Sequence, residues 1–491
     1  MVIGGFVKKI QNIMRGDSGI NGDAQRIEQM VWILFLKVYD VKEEDWEFHD
    51  ETFHSIIPEP LRWRNWAVDT KDGAALTGQG LLDFVNVTLF PKLKNLQLDS
   101  RTPLRQSIVR AVFEDSNQYM KDGVLLRQII NEIDAIQFDD YKERHAFGEI
   151  YETILRSLQG AGNAGEFYTP RAVTDFMAQM LAPQLGERIA DFAAGTGGFL
   201  TSSLNYLEPQ VSSVGDRELY AKSVFGIEKK QFPYLLAVTN LLIHDVDSPQ
   251  LFHGNSLERN VRQFKDQDRF EVVLMNPPYG GTEQENLKMN FPAELRSGET
   301  ADLFVVLAMY RLKRDGRAAL ILPDGFLFGA DGPKRAIKRK LVEEFNLHTI
   351  VRMPMSVFAP YTSIATNILF FDNTGPTERT WFYRVDKPDG YKHFSKTKPM
   401  LLEHFEGCMS WWDDRVELTN PKTGSFTAQS FTAAELAERS YNLDLCGYPR
   451  DEEEVLSPEE TIDQYKRRRD ELNVRIDERL MLIEQMLGAG K

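Results

Sequence analysis

The amino-acid sequence predicts an α/β protein, a mostly parallel sheet preceded by a helical block and followed by one long helix. Three observations carry that expectation. Residues 1–145 repeat apolar side chains at helical spacing, as in Ile27, Met30, Val31, Leu34 and Val38. Between 146 and 375, short apolar runs alternate with amphipathic stretches, the pattern of strands feeding helices. Residues 456–488 carry a single apolar stripe, Leu472, Ile476, Leu480, Ile483 and Leu487, with charges on the other faces. A chain of 491 residues also exceeds one ordinary core, so several domains are expected.

The first block, 1–145, contains no chemical motif and reads as a packing or docking domain. Its most apolar run, Met30 to Leu36, stops at Lys37 and reads as a buried piece of helix. The stretch from Trp46 to Trp66 is aromatic and broken by Pro58 and Pro60, which predicts loop and short helix. In the core, 146–375, strands are expected at Arg188–Phe192, Val224–Glu228, Phe270–Met275, Ala318–Leu322 and Thr349–Met353. Residues 376–450 mix Pro, Gly and aromatics without a period and read as a partly β extension. Beyond them Ser457, Pro458 and Glu460 form a helix-start signal, and Gly488 ends the helix. Its stripe must be buried, against its own chain or against a partner helix.

Composition narrows the class. Hydrophobic residues make up 42% and charged residues 27%, as in folded globular chains. No apolar window is long enough to span a membrane, and no signal-peptide pattern opens the chain, so a cytoplasmic location is expected. Two cysteines, Cys408 and Cys446, make neither a disulfide framework nor a metal cluster, and no metal is expected. The net charge of −15 is unusual for a protein that grips DNA unaided, because phosphate neutralisation supplies most non-specific affinity.

Two segments carry chemistry. In Asp191-Phe-Ala-Ala-Gly195-Thr196-Gly197-Gly198 an apolar strand runs into glycines and then a helix, so the backbone can approach a ligand closely. A dinucleotide fingerprint would place its acid about 20 residues on. Here the strand-end acid, Glu228, follows Gly195 by 33 residues, and the glycine spacing also departs from that fingerprint. Asp191 suits a ligand with a positive amino group, such as S-adenosylmethionine. The second segment, Asn276-Pro277-Pro278-Tyr279, follows the strand ending at Met275. An Asn oxygen and a backbone carbonyl can accept two hydrogen bonds from an exocyclic amino group, and the aromatic can stack on a base removed from its duplex.

In chain order Gly165–Arg171 (GEFYTPR), Asp191–Phe199 (DFAAGTGGF), Gly226–Glu228 (GIE) and Asn276–Gly281 (NPPYGG) resemble the amino-methyltransferase signature of the gamma class. With Leu322–Phe328, Arg335–Leu341, Met353–Phe358 and Thr362–Leu369, the chain resembles the modification subunits of type I restriction enzymes. The resemblance implies a Rossmann-like S-adenosylmethionine-dependent methyltransferase core that methylates adenine N6, a helical N-terminal domain, and a C-terminal helix that contacts a specificity subunit. It assigns Glu166, Phe167, Tyr168, Thr169, Pro170, Arg171, Thr196, Gly197 and Gly198 to the methionine part of the cofactor. Glu228 takes the ribose hydroxyls, and Asn255, where many relatives have Asp, takes the adenine. Asn276 to Tyr279 match the catalytic tetrapeptide; Asp302 and Phe304 are further candidates for the pocket or for plain packing. The implied partners are double-stranded DNA, a specificity subunit holding two copies of this chain, and a restriction subunit, with no membrane. The rival readings are a self-sufficient methyltransferase, a nicotinamide oxidoreductase and a non-catalytic DNA-binding scaffold. Only roughly 115 residues follow the core, little room for a recognition domain of its own.

Overall fold

The computed structural model describes every residue except 1–2, 70–74, 137–140, 159–167, 360, 363, 389–390, 392, 396–397, 421–423, 448–457 and 489–491. Met1–Thr419 together with Phe426–Gly447 form one compact unit, and Asn420–Ser425 with Tyr448–Lys491 a second.

The first unit is built on one ten-stranded sheet. Its strands are β1 (Ile189–Asp191), β2 (Val224–Glu228), β3 (Gln250–His253), β4 (Phe270–Met275), β5 (Leu312–Pro323), β6 (Asn346–Arg352), β7 (Thr366–Asp372), β8 (Arg379–Arg384), β9 (Leu418–Thr419) and β10 (Phe426–Thr432). They lie in the order β3-β2-β1-β4-β5-β7-β6-β8-β10-β9. From β3 to β5 every pairing is parallel, while β7 is antiparallel to both its neighbours, β5 and β6. All of β1 and nearly all of β4 is buried, which is why these strands read as unbroken apolar runs: helices cover both faces of a parallel sheet.

The sheet extends further than the apolar runs foretold. Strands β3 and β7 join those expected, and the segment 376–450 adds β8, β9 and β10 to the same sheet rather than forming a layer of its own. β8 is parallel to β6, and β10 folds back antiparallel on it.

The N-terminal block docks on this core through the helix Asp23–His49, in which Met30 to Leu36 are all buried. That helix packs against the helix Gln231–Ile243. Polar contacts fix the join: Lys42 Nζ lies 2.7 Å from Asp245 Oδ1, and Trp46 Nε1 donates to Asp247 Oδ2 over 3.1 Å. Trp46 itself belongs to the last helical turns rather than to the loop expected there. Its ring packs edge-on against Tyr39 and Phe53, both 5.6 Å away, and this burial extends the helix. The 3-10 turn Glu59–Leu61 and the short helix Trp63–Trp66 follow.

In the second unit the helix Pro458–Gly488 spans 31 residues. The expected cap, Ser457, lies outside the described residues. Within the stripe Leu472, Ile476 and Leu480 are about half exposed; the side chains of Ile483 and Leu487 are outside the described set.

One buried cation ties the far half of the sheet together. Arg352 on β6 donates from Nη2 to Asp324 Oδ1 (3.1 Å) and Asp444 Oδ1 (2.6 Å), and from Nε to Asn367 Oδ1 (3.0 Å) on β7. Removing one partner of a buried ion pair leaves the others uncompensated. Arg352→Ala is expected to lower the unfolding free energy by about 3–5 kcal/mol in denaturant titrations. A loss below about 1 kcal/mol would show that the cluster is solvated rather than buried.

Candidate active site

Parallel pairing brings the carboxyl ends of β1, β2 and β4 side by side, and a cavity of about 360 Å³ opens there. Of the residues singled out in the sequence, Tyr168, Gly195, Glu228, Asn255 and the whole of Asn276 to Tyr279 line it. Phe304 also lines it, whereas Asp302 is buried beside it, accepting from Ser297 Oγ and lying 3.6 Å from Lys334 Nζ. Phe192, Phe358 and Tyr361 complete an aromatic wall.

The glycine loop leaves β1 with Gly195 at φ +52° and Gly197 at φ +77°, backbone conformations that a side chain would strain. Gly195 N donates to Glu228 Oε2 (2.8 Å), and Lys230 N donates to its Oε1 (2.7 Å). Glu228 therefore clasps the loop while facing the cavity. Asn255 accepts from Leu257 N through Oδ1, so its amide nitrogen is the end not used in that turn. Thr196, Gly197 and Gly198 do not line the cavity. Their carbonyls are held from behind: Asn240 Nδ2 donates to Thr196 O (3.2 Å) and Arg171 Nη1 to Gly198 O (3.0 Å).

Asp191 is fully buried under the loop and does not reach the cavity surface. Its Oδ1 accepts from Ala193 N (3.0 Å), while Oδ2 has no hydrogen-bond partner. Burial pushes its carboxyl up to about 8, and the neighbouring Glu228 adds to the rise.

At the end of β4, Asn276 Nδ2 donates to Thr169 Oγ1 (3.0 Å), and the Tyr279 hydroxyl donates to Asn276 Oδ1. Burial, reinforced by Tyr361, holds the Tyr279 hydroxyl well above its ordinary range, so it stays a neutral donor. Pro277 is buried and Pro278 exposed, which stiffens the turn with one face to solvent.

The segment ahead of β1 is tied to a neighbouring helix. Glu166 and Phe167 lie outside the described residues. Tyr168 OH donates to Glu152 Oε1 (3.0 Å) and Arg171 Nε to Glu152 Oε2 (2.7 Å), so one carboxylate buckles both ends of Tyr168–Arg171. With its donors spent on Glu152, Gly198 O and Thr201, Arg171 faces a second cavity behind the loop and not the cavity of Asn276. In this arrangement Arg171 supports the glycine loop from behind. Glu152 had no signal in the sequence, being one acid among several on a helix.

Among the described residues no cluster of three or more His, Cys, Asp or Glu is placed to hold a metal ion. Cys408 and Cys446 are buried away from the cavity, and burial pushes both thiols up, Cys446 to about 12.

A sheet parallel from β3 to β5 with β7 reversed beside it, a glycine loop clasped by a strand-end acid, and an Asn-Pro-Pro-Tyr turn in the same cavity define a Rossmann-like methyltransferase. Comparison with known proteins narrows this. The N-6 DNA Methylase family profile matches residues 142–455, and the HsdM N-terminal domain profile matches 3–133. The chain is 44% identical over 474 residues to the type I restriction enzyme EcoEI methylase subunit of Escherichia coli, covering 96% of each. A modification subunit of a type I restriction enzyme from Vibrio vulnificus YJ016 superposes with a TM-score of 0.77 at 40% identity, over 93% of this chain and 98% of that one. A chain from a structure on complex assembly and conformational transition of the type I R-M system gives 0.80 at 31% identity, over 98% of each. This chain belongs to the N-6 DNA methylases, in the branch of type I restriction enzyme methylase subunits.

The orphaned carboxylate makes a pH prediction. A buried acid raised from 3.8 to about 8 contributes its full stability below the unfolded value, and that contribution is lost as pH rises through about 8. Asp191→Asn keeps the acceptor for Ala193 N without the charge. Its melting temperature relative to the unmodified protein is expected to climb from about pH 5 to about pH 8 and then level off. A difference that stays flat across that window would refute the assignment.

Proposed function

We propose that this chain is the methylating subunit of a type I restriction–modification complex, transferring a methyl group from S-adenosylmethionine to adenine N6 in double-stranded DNA. The observation that carries the reading is the Asn276 amide, which sits at the end of β4 in the same cavity as Gly195 and Glu228.

The residues present fit that cofactor. Glu228, which clasps the glycine loop while facing the cavity, presents an acceptor to ribose hydroxyls. Once bound, S-adenosylmethionine supplies a methyl group activated by the sulfonium. The protein's part is to hold the target. Asn276 Oδ1 has a second lone pair beyond the one given to Tyr279, and with the Pro277 carbonyl it can accept both amino hydrogens of a flipped adenine. Those bonds turn the nitrogen lone pair out of the ring plane toward the methyl donor. Tyr279, Phe358 and Tyr361 offer ring faces to the base and keep water out. Both cysteines are buried elsewhere, so a thiolate plays no part.

The net charge of −15 favours a separate specificity subunit as the reader of DNA sequence. Two copies of this chain would flank it, with a restriction subunit for cleavage, in the cytoplasm. No helix among the described residues is long and apolar enough to cross a membrane. The half-exposed stripe of the helix Pro458–Gly488 is the surface we assign to docking on that subunit.

Mapping N6-methyladenine in DNA from a host without adenine methylation tests the chemistry. The chain with its specificity subunit is expected to mark one split motif, and the same pair carrying Asn276→Ala none. Methylation by the chain alone would instead mean a self-sufficient enzyme, and none in any sample a non-catalytic scaffold. A chain ending at residue 455 is expected to lose complex formation in sedimentation while keeping S-adenosylmethionine affinity within about two-fold. Parallel loss of both would remove the docking assignment.

A further inference from the structure

Thr169 lies outside the cavity lining, yet its hydroxyl is 3.0 Å from the catalytic amide nitrogen, Asn276 Nδ2. We propose that Thr169 is a positioning residue for methyl transfer: its hydroxyl pins the Asn276 amide with the NH2 end held back and Oδ1 presented to the target amino group. The proposal rests on the methyltransferase reading and departs from the cofactor-contact role that resemblance assigns to Thr169.

The argument starts from the shape of an asparagine amide. Its oxygen and nitrogen ends are nearly equal in size, and its terminal torsion is broad and roughly two-fold, so sterics alone select neither end. The chemistry needs the acceptor end, because a donor facing an amino group would repel it. One hydroxyl at one end leaves the amide plane a hinge. Two hydroxyls at opposite ends hold it, and here Tyr279 grips Oδ1 while Thr169 grips Nδ2.

Thr169 can serve as the fixed end because its own backbone is anchored. Its neighbour Tyr168 and the nearby Arg171 both donate to the single carboxylate of Glu152, at 3.0 and 2.7 Å. Pro170 between them limits the remaining freedom and stands as the cap of the helix Arg171–Leu181. Tyr279, in contrast, is part of the surface that must adjust when a base enters. The mobile partner is on the substrate side and the fixed one behind. Removing the Thr169 hydroxyl while keeping its shape would orphan the Nδ2 hydrogens against a methyl group. The amide would relieve this by turning its NH2 toward the cavity, which places a donor where the acceptor belongs.

Thr169→Val and Thr169→Ser, each assembled in the full complex, test this by splitting kcat from KM and from cofactor binding. For Thr169→Val, kcat is expected to fall about ten- to hundred-fold, the worth of one buried hydrogen bond, with KM for DNA and Kd for S-adenosylmethionine within about two-fold. Thr169→Ser, which restores the hydroxyl, is expected to recover kcat to within about three-fold. Unchanged kcat in the Val variant, or a Ser variant as slow as Val, would overturn the proposal. A parallel loss of S-adenosylmethionine affinity would return Thr169 to the role of a cofactor contact. If the unmodified complex itself does not methylate, the methyltransferase reading fails. The proposal is then judged on neutron crystal structures, which distinguish the two ends of the amide: Asn276 Nδ2 turned toward the cavity in Thr169→Val supports it, and Nδ2 unmoved refutes it.

Discussion

The hydrogen-bond register of β1 between β2 and β4 is the constraint on which the site depends. Asp191 pairs opposite Gly226 on one side, and Ala190 opposite Val273 on the other. Parallel pairing then makes three chains leave the sheet at the same end, carrying the glycine loop, Glu228 and Asn276 into one cavity. A slip of one residue between β1 and β4 would turn every β4 side chain to the opposite face. Space is also limited between β2 and the edge strand β3, where a Cβ on Gly226 would come within 2.5 Å of Leu251 Cδ1.

Around that junction lie residues outside the cavity lining that hold its elements in place. Glu152 joins the Tyr168–Arg171 segment to its helix, and Arg171 carries the connection onward to the first carbonyl of the helix Gly198–Leu207. On the opposite side Arg311 sits among the rings of Phe192, Phe264 and Phe270, at 4.6, 4.4 and 5.1 Å, with Nε donating to Asp268 O. Burial lowers its guanidinium to about 10, which leaves it charged at neutral pH and held by the ring faces. Phe192 is thereby fixed from below while it lines the cavity above. The groups behind the cavity are thus tied to one another, which favours a fixed geometry for the reacting groups.

The readable parts of this chain were those in which local order and chemistry coincide. Apolar runs at 189–191, 224–228 and 270–275 are strands because they are covered on both faces, and the motifs that follow them are strand-end turns. Strand β3 was hidden because it is only four residues long and lies at the sheet edge, where its side chains are mostly not buried. The reversal of β7 has no local signature, since a strand reads alike in either direction. Trp46 was misplaced for a related reason: its contacts to Tyr39 and Phe53, and not its own propensity, keep it helical.

By itself the sequence determined which groups the site contains: the glycines at positive φ, the acid ending β2, and Asn276 with its prolines and Tyr279. These follow from covalent chemistry and from spacing along one chain. Only the tertiary structure decided which of them meet. It turned Arg171 away from the cavity and onto Glu152, buried Asp191 with an unpartnered oxygen, and set the Thr169 hydroxyl against the Asn276 amide. Such outcomes depend on which donors are satisfied by residues remote in sequence. Hydrogen-bond satisfaction in a buried space is a property of the whole fold, and no local pattern encodes it.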